Sequence, residues 1–91
     1  METIVIDGAM MSDRDAAHDY LAQSLSLPDY YGRNLDALYD LLTEHGEPLR
    51  LLVRRREALR ESLGEYGDAL LRTLQEAAES NSALEVAFEE E

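Results

Sequence analysis

Leu49-Arg50-Leu51-Leu52-Val53, near the middle of the chain, decides how the rest is arranged. It is an apolar run of strand length without alternation, set off upstream by Gly46 and Pro48. Such a run predicts a central strand covered on both faces. Working outward, Thr3 to Asp7 is a β-branched run closed by Asp7-Gly8, a strand leading into a turn. Between these strands lie two helical patterns. Ser12 and Asp15 make a short-side-chain variant of the capping box, after which Ala17, Leu21 and Leu25 recur at i, i+4, i+8 with Tyr20 beside them. This amphipathic helix stops near Pro28. Asn34 is a good N-cap for a second helix, on which Leu35, Leu38, Leu41 and Leu42 share one side and which ends near His45-Gly46.

The downstream half repeats the plan. Arg54-Arg55-Arg56-Glu57 opens a short helical segment that Gly64 and Gly67 interrupt, and Asp68 is placed to cap a run with Leu70, Leu71, Leu74, Ala77 and Ala78. Ser80 to Ser82 reads as a turn. Leu84, Val86 and Phe88 then alternate with Glu85, Ala87 and Glu89, the pattern of a half-exposed edge strand, and Glu89 to Glu91 read as a solvated tail. The order β-α-α-β-α-α-β predicts an α/β fold, one domain over residues 1–91, with a small three-stranded parallel sheet packed with helices.

Composition narrows the function. The 91 residues carry 20 Asp and Glu against 8 Arg and no Lys, a formal net charge of -12. Such a chain is repelled by nucleic acid and by anionic membrane surfaces, so neither is expected as a partner. Cysteine is absent, which excludes disulfides, thiolate metal sites and a Cys nucleophile. The start METIVIDG has neither a basic segment nor a long apolar one, and no stretch approaches the roughly 18 apolar residues of a membrane span. The expected location is the cytoplasm.

The charge is also unevenly placed. Residues 1–48 carry a net -8, residues 49–60 a net +4 and residues 61–91 a net -8. On the second helix, stepping about 100° per residue from Leu35, the leucines fall between about 240° and 360° while Asp36, Asp40 and Glu44 fall at about 100°, 140° and 180°. Three carboxylates therefore form a stripe opposite the core face. Like charges at i, i+4 oppose an isolated helix by about 0.2 to 0.5 kcal/mol per pair, and Glu44 lies at the unfavourable end of the helix dipole. A local conflict of this kind marks a candidate functional surface, against the plainer reading of a solvated face. Just upstream, Leu27-Pro28-Asp29-Tyr30-Tyr31-Gly32-Arg33-Asn34 places two adjacent aromatics in the loop leading to the stripe, and Tyr39 flanks it. Tyrosines beside charges are the material of an interface hot spot; one of the pair is expected to pack under the loop while the other faces out.

The segment Leu27-Pro-Asp-Tyr-Tyr-Gly-Arg-Asn-Leu-Asp-Ala-Leu-Tyr-Asp-Leu-Leu-Thr43 closely resembles the signature of the barstar family, intracellular inhibitors of small secreted bacterial ribonucleases. The element order extends the resemblance over essentially the whole chain. It implies a barstar-like fold and assigns Asp40 as the carboxylate that enters the nuclease active site at a substrate phosphate position. It also implies that Tyr30, Gly32, Asn34, Leu35, Asp36 and Thr43 surround Asp40 at the interface. Glu76 on the last long helix matches a peripheral acidic contact, and Glu47 matches another after a one-residue gap. With Tyr39 and Glu44 these make up the candidate partner-binding set. The implied partner is a guanyl-specific ribonuclease bound 1:1. Three departures stand out: Tyr39 replaces a frequent Trp, Arg33 stands where an acid is common, and Thr43 to Pro48 is short and lacks an aromatic. They fit a less basic or acidic ribonuclease at least as well as a strongly basic one.

No constellation for catalysis is legible, and neither an enzymatic activity nor a cofactor is expected. His18 reads as a helix-surface histidine beside helical acids, His45 as a favourable helix C-terminal residue, and neither has metal-site spacing. Arg54, Arg55 and Arg56, with Arg50 and Arg60, read as partners for the surrounding acids or as a self-association surface. The leading function is a ribonuclease inhibitor. The alternatives are a barstar-like docking module for a non-nuclease partner and a nucleic-acid mimic aimed at a DNA- or RNA-binding protein.

Overall fold

A computed structural model describes residues 1–89. The elements are β1 (Glu2–Asp7), a 3-10 turn (Gly8–Met10), α1 (Arg14–Ser24), α2 (Leu35–Glu44), β2 (Leu49–Arg54), α3 (Arg56–Leu63), α4 (Glu65–Ser80) and β3 (Leu84–Phe88). The fold is α/β with three parallel strands and the expected order of strands and helices. β2 is central, with Ile4 paired to Leu51 and Leu51 to Val86, and β3 is an edge.

The sheet is covered on one face, which corrects the expectation for β2. Leu49, Leu51 and Val53 are buried with Ile6 and Leu84, whereas Val5 is 43% exposed and Leu52 only half-buried. The reason is topological. Right-handed crossovers that advance in one direction, β1 to β2 to β3, place every connecting helix on the same side of the sheet. On that side α2 packs on α4, α3 on α4, and α4 on β3. Leu38, Leu59, Leu70 and Leu74 are fully buried there.

Arg50 and Arg54 lace the open face, while Arg55 and Arg56 lie at its end where the chain enters α3. Arg50 on β2 pairs with Glu85, its register partner on β3, and Arg54 Nε lies 2.5 Å from a Glu89 carboxylate oxygen. Arg55 lies 2.7 Å from Asp7, while Arg56 stacks 4.8 Å from the centre of the Phe88 ring. Arg50, Arg54 and Arg55 thus pair with nearby acids, as does Arg60 with Glu57 and Asp68. Glu89, expected in a solvated tail, instead continues the sheet through its N–H to the Val53 oxygen (2.8 Å) and through Arg54. Glu90 and Glu91, the rest of that expected tail, lie outside the described residues.

Several boundaries differ from expectation for local reasons. Asp13, not Ser12, caps α1, its Oδ1 accepting from the Ala16 N–H at 2.8 Å. Arg54 extends β2 rather than opening a helix, because it still pairs in register with Asp7. α4 starts at Glu65 and not at Asp68: Gly64, at φ 59°, breaks the chain by itself in a backbone region that disfavours other residues. Asp68 is thereby left inside the first turn, where it holds Arg60 at 2.8 Å. α4 also runs through Ser80, so the following turn begins at Asn81. Among the described residues no helix is long and apolar enough to cross a membrane.

Candidate functional site: an acidic helix and its tyrosine loop

α2 is held at both ends and along its buried side. Asn34 Oδ1 accepts from the Ala37 N–H at 2.7 Å, the N-cap expected from the sequence. At the other end Asn81 Nδ2 donates to the carbonyl oxygens of Leu42 (2.9 Å) and His45 (2.8 Å), adding to the His45 N–H that already caps Leu42. The Tyr39 hydroxyl shares a 2.7 Å hydrogen bond with Ser80 Oγ, tying α2 to the end of α4. Leu38 and Leu42 are buried, and this orientation leaves Asp36, Asp40 and Glu44 exposed on the opposite side. Among the described residues none of the three forms an ion pair.

The loop before α2 divides its two tyrosines. Tyr31 is 8% exposed and Tyr30 81% exposed, the division anticipated for an aromatic pair in a loop. A shallow cleft of about 220 Å³ is lined by Tyr30, Gly32, Asp40 and Glu44, with Ala37 and Leu41 among its apolar lining residues. Gly32 is confined: a Cβ there would stand 3.2 Å from that of Ala37 and press on the first turn of α2. The cleft thus joins an exposed aromatic ring, a small residue and two carboxylates without internal cations. This arrangement suits a guanidinium, ammonium or imidazolium group on a partner's surface.

Beneath the loop lies a cluster that sequence reasoning missed. His18 is not on the helix surface; it is 3% exposed. Its Nδ1 is 2.6 Å from the Tyr31 hydroxyl and its Nε2 is 2.7 Å from the Tyr66 hydroxyl on α4. A neutral imidazole has one N–H and one lone-pair nitrogen, so one hydroxyl accepts while the other donates. Burial, reinforced by the Arg33 charge, lowers the His18 pKa from its ordinary value, against smaller opposing effects of Asp15 and Asp19. Burial pushes the Tyr31 hydroxyl up to about 12, with Tyr66 adding to the shift, so Tyr31 remains a neutral phenol. The helical wheel carried the missing signal: His18 lies about 60° from Leu21, on the flank of the apolar stripe and not among the acids.

Arg33 folds back along the surface onto α1. Its Nη1 lies 2.6 Å from Asp19, and its Nη2 donates to the Asp15 carbonyl oxygen at 3.2 Å, so its charge is matched on α1. Its backbone is left-handed at φ 56°.

The remaining candidates are spread around this centre. Leu35 and Thr43 are half-buried on α2, Thr43 Oγ1 donating to the Asp40 carbonyl oxygen at 3.0 Å. Asn34 serves as the cap, with its Nδ2 on the Gly32 oxygen at 3.2 Å, and Glu47 is exposed in the connection to β2. Glu76 is exposed on α4, where it lines a separate depression with Arg72 and Glu79, outside the Tyr30–Asp40 cleft.

Two comparisons relate the chain to known proteins. A family model described as "Barstar (barnase inhibitor)" matches residues 1–89. A protein of Bacillus subtilis (strain 168) named "Putative ribonuclease inhibitor YrdF" is 45% identical over 80 residues, spanning 87% of this chain and 88% of that relative.

Proposed function

The chain belongs to the barstar family, and on that premise we propose that it inhibits a small secreted microbial ribonuclease in a 1:1 complex. The observation that carries this reading is the cleft where exposed Tyr30 and Gly32 meet Asp40 and Glu44 on a helix face without internal cations. A ribonuclease collects Arg, Lys and His around the scissile phosphate, and those donors need acceptors of phosphate-like charge. Carboxylates supply charge-assisted acceptors on a rigid frame, with Asp40 at the phosphate position and Asp36 and Glu44 one turn to either side. Tyr30 adds a rigid aromatic contact at little entropic cost. Inhibition follows by occlusion and requires no catalytic group or cofactor on this chain. A cytoplasmic inhibitor of this type protects the cell that makes the nuclease.

The internal pairing of Arg33 bears on the partner's charge. Because Asp19 and Asp15 absorb it, Arg33 does not set a free cation beside Asp36, and a basic guanyl-specific enzyme is accommodated as readily as a less basic one. The test is a ribonuclease assay with the purified protein against guanyl-specific secreted nucleases of differing charge. Inhibition of at least one at equimolar ratio, lost in Asp40→Ala, is expected. No inhibition across the panel overturns the reading.

A further inference from the structure

Tyr66 is the second residue of α4 and lies outside the acidic helix and its loop. It nevertheless ends a series of contacts that leads to them. The Arg14 guanidinium stacks 4.0 Å from the centre of the Tyr66 ring, the Tyr66 hydroxyl is 2.7 Å from His18 Nε2, and His18 Nδ1 is 2.6 Å from the Tyr31 hydroxyl. The two phenol rings stand tilted and edge-on to the imidazole, with centroids 5.7 and 6.0 Å away.

A histidine bonded at one nitrogen can swing or flip its ring. Bonded at both it is held more firmly, since a flip replaces each nitrogen by a carbon and breaks two hydrogen bonds where it would otherwise break one. Tyr66 therefore fixes the ring that fixes Tyr31. This matters for the loop because its own backbone bonding is sparse: the Tyr31 N–H reaches the Pro28 oxygen at 2.9 Å, and Arg33 sits in a left-handed conformation. Tyr31 is covalently joined to Tyr30 and Gly32, both of which line the cleft.

Taking the inhibitor reading as its basis, we infer that Tyr66 is a positioning residue for the interface: acting through His18, it locks Tyr31 under the loop so that Tyr30 and Gly32 meet the partner already ordered. A loop ordered before binding loses less conformational freedom in the complex, which slows dissociation.

The test uses Tyr66→Phe, which keeps the ring under Arg14 and removes only the hydroxyl. Residue-resolved amide exchange in the uncomplexed protein is expected to speed up about three- to tenfold at Tyr31, whose N–H is bonded to the Pro28 oxygen, beyond any change at Leu51 and Leu74. A loss of global stability would instead move the core amides in step. With a ribonuclease that the wild type inhibits, the variant complex is expected to dissociate about three- to tenfold faster, while Arg14→Met, which retains the hydroxyl, changes the rate less than about twofold. Loop exchange unchanged, loop exchange rising only with the core, or a loosened loop with unchanged dissociation each overturns the assignment. If no ribonuclease is inhibited by the wild type, the inhibitor reading fails, and the exchange comparison alone decides whether Tyr66 holds the loop.

Discussion

Asn81 closes the C-terminal end of α2 from another part of the chain: its Nδ2 donates to the Leu42 carbonyl oxygen at 2.9 Å, 39 residues away in sequence. The same nitrogen reaches the His45 oxygen, and its Oδ1 accepts from the Ala83 N–H at 3.0 Å. One amide thus joins the end of the acidic helix to the turn into β3. Asn81→Ala is expected to cost about 1 to 3 kcal/mol, read from urea midpoints, because it removes the side-chain bonds to the Leu42 and His45 oxygens and to the Ala83 N–H. Asn81→Asp should cost at least as much, since a carboxylate cannot donate and adds a negative charge where the α2 dipole is already negative. An Asp variant more stable than the Ala variant would contradict this account.

The stability of the protein should fall on mild acidification through His18. Its pKa in the fold lies below the ordinary 6.5, chiefly because of burial. Between those two values the unfolded chain holds a proton that the folded chain does not. The contribution is therefore complete above about pH 6.5 and is lost as pH falls toward the folded pKa, at up to about 1.4 kcal/mol per pH unit. His18→Gln removes this step while leaving the carboxylates in place. Denaturant unfolding of both proteins between pH 7.5 and 5.5 should give curves that converge as pH falls. Parallel curves would show that His18 is not held neutral in the fold.

Arg33 and its backbone make opposing contributions. The ion pair with Asp19 is exposed and worth about 0 to 1 kcal/mol, whereas a left-handed conformation costs a non-glycine residue roughly 1 to 2 kcal/mol. Arg33→Ala loses the pair and keeps the strain. Arg33→Gly loses the pair and relieves the strain. The glycine variant is expected to be more stable than the alanine variant by about 1 kcal/mol in denaturant midpoints, with the wild type close to the glycine variant.

These cases show what could be read from the chain and what could not. The strands, α2 and its Asn34 cap were legible because hydrophobic period and cap chemistry are local. The acidic stripe was legible for the same reason, since a helical wheel needs only the residues of one helix. The open sheet face differs from the expectation for the Leu49 to Val53 run, although Arg50 carried the signal: a charged residue within the run faces the uncovered side, and the direction of successive crossovers leaves that side bare. His18 was misplaced because its partners, Tyr31 and Tyr66, come from a loop and from α4, 13 and 48 residues away. The pairing of Arg33 was not legible for the same reason: its partners on α1 lie 14 and 18 residues away in the chain.

Asp40 is the residue on which the inhibitor reading is most exposed to test. It is solvent-accessible, lines the cleft with Tyr30 and Glu44, and has no ion-pair partner among the described residues, so its removal should leave folding nearly unchanged. In the complex the same removal leaves the nuclease's buried cations unpaired. Asp40→Ala is therefore expected to lose about 2 to 5 kcal/mol of binding, a range for which the barnase–barstar complex is itself the reference case. Glu44→Ala, farther along the stripe, should lose less and act mainly on the association rate. Stopped-flow association should slow as salt rises if the nuclease site is basic, with a shallower slope in both variants. Wild-type affinity in Asp40→Ala would remove the central carboxylate from the interface. A large loss of folding stability in the same variant would show that Asp40 supports the fold.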